Sequence, residues 1–399
     1  MNSPKLNPAQ SAYLDFLRGI AAQIVLIGHA SILFLNGSRL YQANLQVIAV
    51  MIFFLLSGFL ISYTVFRRYH DPAFKFRHYF ADRFARIFTA FVPALIFAAA
   101  VDAYNLTLPT AQALATVTPT GSFDGEDWVQ GLFHNYTWQA WLGNLLMLQD
   151  FPLFQIARLA GLQENAFFIK SFGTASPFWT ISIEWWLYMA FGMIVLLRIR
   201  TGSPFKLWQL PILGFVVIEP MYYLIGGVDN CLSLLWITGM MLSLAYINQD
   251  KLLAPLGSTG TGPRFRVYCV GAFFFALVCM AARLVALKLD TGKMAFSEFQ
   301  FGLFLALAVF APLMALNKLE TAPALVRKAC TGLSSYSFSL YLTHAPILSC
   351  LFLLYPDRPY DWSMMGMSFT VSNVVAIIFA WLFERHYHKV GSWIKARFC

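Results

Sequence analysis

Long, uninterrupted apolar runs constrain the fold of this chain more than any other feature. About ten runs, each of roughly 16 to 23 residues, are long enough for helices that cross a bilayer. The chain is 59% hydrophobic and only 12% charged, which is too apolar for a soluble protein of 399 residues. We therefore predict an all-α integral membrane protein. Its helices are expected near residues 13–35, 45–66, 87–103, 178–197, 207–225, 231–247, 268–286, 301–316, 333–354 and 363–383.

The basic residues predict the orientation of these helices. Most Lys and Arg residues fall in five connections, and a ten-helix count places all five on one side of the membrane. The positive-inside rule makes that side cytoplasmic, together with both termini. The formal net charge of +9 is then explained by topology rather than by a nucleic-acid partner. The five connections lie near residues 67–86, 198–206, 248–266, 317–328 and 384–397.

The largest connection on the opposite, outer side runs from about residue 104 to 177. Its apolar part, Leu142 to Leu148, is too short to span a bilayer, so we expect a re-entrant or interfacial segment there. Trp138 and Trp141 are expected at the lipid headgroups. Internal repeats and low-complexity tracts do not stand out, and a single membrane domain over residues 1–399 is the simplest prediction.

Processing and metal-binding signals are weak. The polar segment before Tyr13 lacks the features of a signal peptide, so the first apolar run is expected to be kept as a helix. The six cysteines have no CxxC spacing, which argues against a disulfide framework or a metal site. The chain ends in ARFC, which is not a prenylation motif.

Three ionisable residues lie deep inside predicted spans: His29, Glu184 and His344. Such residues cost about 2.5–3.5 kcal/mol on insertion scales and are functional candidates for that reason. Helix geometry places Arg18 and His29 on one face, about 16 Å apart along the axis. His29 and Glu184 come out at similar depth, each roughly 9 Å from the outer end of its helix.

A carboxylate beside a histidine could orient the imidazole or stabilise its protonated form while it abstracts a proton. The alternative is a buried pair, His29 with Glu184, that only locks two helices together. For His344, the alternative to a chemical role is a hydrogen bond to a backbone carbonyl freed by Pro346.

The basic residues at the cytoplasmic helix ends also allow two interpretations. Arg83 and Arg86 share one helix face and could clamp phosphate groups, or they could be positive-inside anchors. Asp15 precedes Arg18 by three residues, which predicts a local ion pair that holds the guanidinium group in place.

At these residues the sequence resembles the membrane-bound acyltransferase-3 family, in particular its OafA/NolL-like bacterial members, and also the glucan-modifying OpgC-type members. The first-helix segment YLDFLRGIAAQIVLIGHA, in which ten residues lie between Arg18 and His29, is similar to that family's opening motif. Four further segments follow in the expected order over nearly the whole chain. They are FFLLSGFLIS (53–62), RFARI (83–87), FWTISIEWWLY (178–188) and SYSFSLYLTHAPIL (335–348).

The sequence departs from the family pattern at a few positions. Thr89 replaces a frequent proline, Trp185 and Trp186 replace the usual Glu-Gln pair after Glu184, and a glycine before Phe53 is absent. These changes leave the proposed chemical groups in place but put the identity of the acceptor in doubt. The extramembrane SGNH-type domain that is fused to some relatives is not expected here.

The resemblance implies a transmembrane O-acyltransferase of the bacterial inner membrane. It would move an acyl group, acetyl by default, from cytoplasmic acyl-CoA to a hydroxyl of a cell-envelope or exported glycan. Acyl-CoA would be a co-substrate, with no permanently bound cofactor, and a homodimer is among the expected assemblies. The implied site consists of catalytic His29 and Glu184, donor-binding Asp15, Arg18, Arg83 and Arg86, and pocket residues Trp185, Tyr188, Tyr341 and His344.

Several alternatives stay open at the level of sequence. Succinyl transfer to periplasmic glucans fits compact relatives, although the membrane core offers no further cation for a succinyl group. A transporter of a glycan or lipid intermediate, with His29 and Glu184 as a proton relay, is the alternative from another class. A structural partner of glycan synthesis without activity is a third. His29 could act as a general base or as a covalent acyl carrier.

Overall fold

A computed structural model describes residues 5–35, 38, 45–115, 125–153, 161, 168–225, 231–253, 263–291, 299–319, 321–356 and 361–399. Within these ranges the regular secondary structure is helical. The helices are α1 (Pro8–Phe34), α2 (Leu45–Arg67), α3 (Phe76–Asn105), α4 (Pro109–Leu114), α5 (Gly125–Asn135), α6 (Trp138–Leu145), α7 (Trp179–Gly192), α8 (Gln209–Leu224), α9 (Leu232–Ile247), α10 (Gln249–Leu253), α11 (Pro263–Thr291), α12 (Phe299–Ala315), α13 (Ala324–Ser334), α14 (Ser337–Leu354), α15 (Trp362–Leu382) and α16 (Tyr387–Phe398). A π-helix, Met193–Ile199, extends α7.

The prediction of an all-α integral membrane protein is confirmed. Among the residues that the structure describes, seven helical segments are long and apolar enough to cross a membrane, and three shorter apolar helices, α8, α9 and α12, accompany them. Each of the ten predicted spans coincides with one of these ten helices. The number of crossings and the cytoplasmic position of the termini stay predictions.

Two helix starts illustrate how local sequence sets the boundaries. In α1, Asn7 and Gln10 exchange side-chain and backbone hydrogen bonds across Pro8, which forms a capping box with proline at the first helical position. Helix α3 begins at Phe76, well before the predicted residue 87. The apolar count missed about three turns of helix because Arg77, Asp82 and Arg83 lower their hydropathy.

The extension of α3 is stabilised by a ladder of aromatic rings. Phe80, Phe84 and Phe88 follow each other at four-residue spacing, with ring centroids 5.9 and 4.4 Å apart. Residues four apart lie on one helix face, so this spacing is a helical signal that the charged neighbours do not remove.

Helices group into two compact units. The first consists of Met1–Ala21, Val47–Phe74 and Tyr223–Ser335, and its core lies where α9 and α11 pack on α12. In this unit α2 and α9 approach so closely that a methyl group added at Gly58 would collide with the Trp236 carbonyl, and one at Gly239 with the Leu55 carbonyl. Small residues permit such backbone contacts between membrane helices.

The second unit consists of Ala22–Gln46, Lys75–Tyr222 and Tyr336–Cys399. Helix α14 packs against α3 and α15, while α16 packs against α3. An ion pair of 2.8 Å between Lys395 and Asp82 fastens α16 to the start of α3. The single membrane domain expected over the whole chain stays a prediction.

The predicted outer connection contains helices of its own. Of residues 104–177, the described parts include α4, α5 and α6. The last of these contains residues 142–145, the first part of the segment predicted to be re-entrant or interfacial, and its place at the membrane surface stays a prediction. Trp138 is 71% exposed at the start of α6. Buried Asp102 of α3 accepts hydrogen bonds from the backbone and side chain of Thr174, at 2.8 and 2.7 Å, which fixes the chain just before α7.

Candidate active site

Two histidines from the second unit lie side by side. His29 Nδ1 of α1 is 2.8 Å from His344 Nε2 of α14, and the two rings are parallel within 3° with centroids 5.1 Å apart. His344 is 1% exposed, whereas His29 is only partly covered. The site therefore has an inner histidine and a histidine that keeps access to a ligand.

Hydrogen-bond counting assigns the protons of this pair. His344 Nδ1 lies 3.0 Å from the Leu340 carbonyl, which can only accept, so Nδ1 carries hydrogen. In a neutral ring Nε2 of His344 is then an acceptor, and His29 Nδ1 must donate to it. This tautomer leaves His29 Nε2 without a proton, so Nε2 is the ring nitrogen of His29 that can accept a proton or bond to an acyl carbon.

The carbonyl that His344 contacts differs from the one considered in the sequence analysis. Pro346 lacks a backbone N–H and therefore frees the carbonyl of Leu342, four residues earlier. His344 uses the Leu340 carbonyl instead and also contacts His29. His344 thus both donates a hydrogen bond to a backbone carbonyl and takes part in the candidate site.

Tyr341 extends the site from α14 to the beginning of α7. Its ring lies one turn before His344, with centroids 5.8 Å apart. Its hydroxyl group contacts Thr180 and donates to the Pro177 carbonyl at 3.0 Å. The motif that contains His344 is thereby held against the motif that contains Glu184.

Glu184 accepts a hydrogen bond from Tyr188, one turn later on α7. Its charge also acts on the hydroxyl group of Tyr341, so Glu184 lies near the same tyrosine that adjoins His344. The direct ring partner of His29 is His344. Direct pairing of His29 with Glu184 stays a prediction.

Trp185 is buried between α7 and α3. Its ring meets Phe80, Phe84 and Phe88 edge-on, with centroids 5.1 to 6.4 Å apart. These observed contacts are helix-packing contacts, and a pocket role for Trp185 stays a prediction.

The two arginines of α3 have different surroundings. Arg86 forms an ion pair of 2.9 Å with Glu384 and lies over the ring of Tyr387 at 4.8 Å. Glu384 is 3% exposed and also accepts from the backbone and hydroxyl group of Ser339, at 3.0 and 2.7 Å. The guanidinium group of Arg86 thus fastens α3 to α14 and to the segment after α15.

Arg83 has spare hydrogen-bonding capacity. Its Nε atom is buried and has no hydrogen-bond partner among the residues that the structure describes. Of the two arginines, Arg83 is therefore the one whose described contacts leave it available to an anion.

Asp15 and Arg18 belong to the first unit, where the predicted ion pair is present at 3.7 Å. Arg18 also lies 3.3 Å from the Ser334 hydroxyl. Asp15 accepts hydrogen bonds from Thr331 and Ser334, each at 3.3 Å. These contacts fix the start of α1 against α13.

The sequence analysis missed Glu384 and Glu219. Glu384 lies in a strongly basic connection, where an isolated acid is a signal of pairing. Glu219 is 0% exposed in α8, and its Oε2 lies 3.0 Å from the Ser182 hydroxyl. Its place beside Pro220 in a predicted span was the available signal, because ionisable residues in spans are functional candidates.

The Ser182 hydroxyl group has one hydrogen but lies within hydrogen-bond distance of two oxygens, the Met147 carbonyl oxygen and Glu219 Oε2. It donates to the Met147 carbonyl at 2.7 Å, a carbonyl that also accepts from Trp186 at 2.7 Å. One hydrogen does not fully serve both the Met147 carbonyl and Glu219, and a protonated Glu219 that donates to Ser182 would satisfy the second contact. Ser182 and Glu184 are two positions apart and lie on different faces of α7, so this contact is separate from the histidine pair.

The turn 147–150 supplies the Met147 carbonyl. Met147 and Asp150 have positive φ angles of 57° and 54°, which are rare for residues other than glycine. The Asp150 backbone N–H donates to the Ile169 carbonyl at 2.7 Å, and Gln149 donates to the Phe178 carbonyl at 3.0 Å. Burial raises the pKa of Asp150 to about 6, although the nearby Lys170 lowers it.

Metal chemistry has no candidate centre in the described ranges, where no group of three His, Cys, Asp or Glu side chains is placed to hold an ion.

Apolar helices with a histidine pair among them define a multi-pass integral membrane protein with a candidate general base or nucleophile. The profile of the acyltransferase domain family Acyl_transf_3 matches residues 11–385. The chain belongs to this family and is an acyltransferase that transfers groups other than aminoacyl groups. Neither the curated proteins nor the solved structures contain a match to it.

Proposed function

We propose that this protein is an O-acyltransferase of a bacterial inner membrane. It moves an acyl group, by default acetyl, from cytoplasmic acyl-CoA to a hydroxyl group of a cell-envelope or exported glycan. The observation that carries the proposal is the histidine pair, in which the hydrogen bond from His29 Nδ1 to His344 leaves His29 Nε2 unprotonated. Family membership supports the acyltransferase class.

The chemistry follows from the unprotonated nitrogen, Nε2 of His29. His29 Nε2 takes the proton of the acceptor hydroxyl while its oxygen attacks the thioester carbonyl carbon. The tetrahedral intermediate collapses, the carbon–sulfur bond breaks, and the thiolate of CoA receives the proton back from Nε2. The covalent alternative starts with attack by Nε2 itself and passes through an acyl-imidazole.

His344 acts as a positioning residue in this scheme. Its contact with the Leu340 carbonyl fixes the direction of its own N–H group, and the contact with His29 fixes which nitrogen of His29 carries hydrogen. Glu184 and Tyr188 form the adjoining polar contact, which we assign to the acceptor hydroxyl together with Tyr341. Arg83 is assigned to the phosphates of the donor on the strength of its buried, unpartnered Nε.

The test uses purified full-length protein and a bacterial strain that lacks it. Mass spectrometry of the envelope glycans, with and without the protein, identifies the acyl group and the acceptor. His29→Ala is expected to abolish transfer while the protein still inserts, and His70→Ala, an exposed histidine outside the spans, serves as the matched control. Full transfer by His29→Ala would contradict the proposal. Glycan export that depends on a proton gradient, without any acylation, would favour the transporter.

A further inference from the structure

Helix α7 has two polar faces that point in nearly opposite directions. Thr180, Glu184 and Tyr188 follow each other at four-residue spacing and therefore share one face. Ser182 and Trp186 are also four residues apart and share another. At about 100° per residue, Ser182 lies about 200° around the axis from Glu184. Contacts made by the second face therefore determine where the first face points.

The first face of α7 meets the motif that contains the inner histidine. Thr180 Oγ1 contacts the hydroxyl group of Tyr341, whose ring adjoins that of His344. Glu184 accepts a hydrogen bond from Tyr188, and its charge acts on Tyr341. Glu184 is thus directed at the candidate site only while this face of α7 is turned toward α14.

The second face of α7 is held by one carbonyl group. Met147 is 0% exposed, and its carbonyl oxygen accepts from Ser182 Oγ and Trp186 Nε1, each at 2.7 Å. These two bonds use both lone pairs of the oxygen. The ring of Trp186 meets those of Phe151 and Phe215 edge-on, with centroids 5.7 and 5.3 Å away. Packing and hydrogen bonding therefore fix the same indole group.

The turn 147–150 is itself held in an uncommon conformation. The positive φ angles of Met147 and Asp150 cost free energy, and such angles persist only where neighbouring contacts determine them. One of these contacts runs from Gln149 Nε2 to the carbonyl of Phe178, directly before α7, at 3.0 Å. The turn thus holds α7 both at its beginning and along its second face, which fixes the rotation of the helix about its axis.

A small rotation of α7 would displace the carboxyl group of Glu184. Side chains extend a helix to a radius of about 5–6 Å, so a rotation of roughly 20° moves a group at that radius by about 2 Å. A misplacement of about 1 Å can lower a reaction rate by about 100-fold. The bond that sets the rotation of α7 is therefore expected to affect the rate of reaction.

We propose that Trp186 is a positioning residue, whose bond to the Met147 carbonyl sets the rotation of α7 and thereby the direction of Glu184. The inference rests on the proposed function for the role of Glu184 at the acceptor hydroxyl. Ser182 lies near both Met147 and Glu219, whereas the indole N–H of Trp186 can only donate. Trp186 is also a position at which the sequence departs from the family pattern. The usual glutamine has an N–H donor that is likewise three bonds from Cβ.

The first experiment measures initial rates with full-length protein in nanodiscs. Acetyl-CoA is the donor, and the envelope glycans of a strain that lacks the protein are the acceptor. Trp186→Phe keeps an aromatic ring but removes the N–H donor, and it is expected to lower kcat by about tenfold to 100-fold with KM for acetyl-CoA unchanged. Trp186→Gln removes the ring but keeps an N–H donor, and its kcat should exceed that of Trp186→Phe.

The matched control is Trp208→Phe, which removes the N–H donor of a tryptophan that is 62% exposed and should leave kcat unchanged. Equal kcat values for wild type and Trp186→Phe would overturn the proposal. A lower kcat for Trp186→Gln than for Trp186→Phe would also overturn it, because ring packing rather than the N–H group would then matter.

The second experiment does not depend on acyl transfer. The infrared band of the Glu184 carboxyl group is identified as the band that Glu184→Gln removes, and its frequency depends on the hydrogen bond from Tyr188. Trp186→Phe is expected to shift this band, and Trp186→Gln to return it toward the wild-type frequency. An identical band in both variants and wild type would overturn the positioning role. A shifted band in Trp186→Phe, without any acyl transfer by the wild type, would overturn the proposed function but keep the positioning role.

Discussion

His29 Nδ1 and His344 Nε2 are 2.8 Å apart, although 315 residues separate them in sequence. The contact joins the first and the ninth of the predicted spans. It also fixes which nitrogen of His29 is unprotonated, because His344 is itself fixed by the Leu340 carbonyl. The sequence analysis did not predict this contact between two histidines, and pairing of His29 with Glu184 stays a prediction.

His344→Ala is expected to lower kcat by about tenfold to 100-fold, as is typical when a residue that orients a functional histidine is removed. His344→Gln should retain more activity than His344→Ala, since the amide oxygen can still accept from His29 Nδ1. The pH dependence of kcat should shift in both variants, because the protonation of His29 is no longer coupled to a second ring. Equal activity of both variants and wild type, with unchanged pH profiles, would show that His344 has no positioning role.

Glu384→Ala is expected to reduce the free energy of unfolding by about 3 kcal/mol, because it leaves the Arg86 guanidinium group without its partner. Thermal denaturation in detergent measures this loss. The double variant Arg86→Met/Glu384→Leu should recover much of it, since no uncompensated charge remains. Asp71→Ala, which breaks the exposed Arg68–Asp71 pair, is a control that should change the melting temperature little.

We expect the stability of the protein to depend on pH below neutrality because of Asp150. Its pKa in the folded protein, about 6, lies above the ordinary value of 3.8, so the folded state holds a proton that the unfolded state has already released. Stability from this group is fully present below pH 3.8 and is lost as the pH rises from about 4 to 6. Asp150→Asn should reduce that decline in melting temperature, whereas an unchanged decline would assign it to other groups.

Glu219 is expected to carry a carboxylic-acid proton that it donates to Ser182. The infrared spectrum of the wild-type protein should contain a carbonyl band of a protonated carboxyl group, and Glu219→Gln should lose it while Glu184→Gln retains it. The stability of Glu219→Gln should stay within about 1 kcal/mol of wild type, because the amide N–H can donate to the same hydroxyl. Absence of the band near neutral pH would contradict the hydrogen-bond count at Ser182.

The positions of most helices could be predicted from the local sequence. Apolar runs located ten helices because burial in a bilayer imposes both length and composition on a span. Apolar runs did not predict the start of a helix that continues beyond the run. Helix α3 is the example, because its first turns contain Arg77, Asp82 and Arg83. There the aromatic ladder at residues 80, 84 and 88 was the helical signal.

The candidate site was predicted in part, residue by residue. The cost of burying His29, Glu184 and His344 singled them out, and three-residue spacing predicted the Asp15–Arg18 pair. No spacing rule relates residues on different helices, so the partners of Arg86, Ser182 and His29 could not be read from sequence. Arg83 and Arg86 looked equivalent there, yet Arg86 pairs with Glu384 while the Nε of Arg83 is without a partner in the described ranges.

The sequence by itself determined that this chain is helical, that it is an integral membrane protein, and that its spans contain ionisable groups, which cost free energy in a bilayer. Those properties depend on composition and on periodicity along one helix, which are local. Only the tertiary structure decided that His29 contacts His344, that Glu219 contacts Ser182 and that Arg86 is tied to Glu384. The reason is physical: a buried polar group needs a partner, but which helix supplies it depends on packing across long sequence separations.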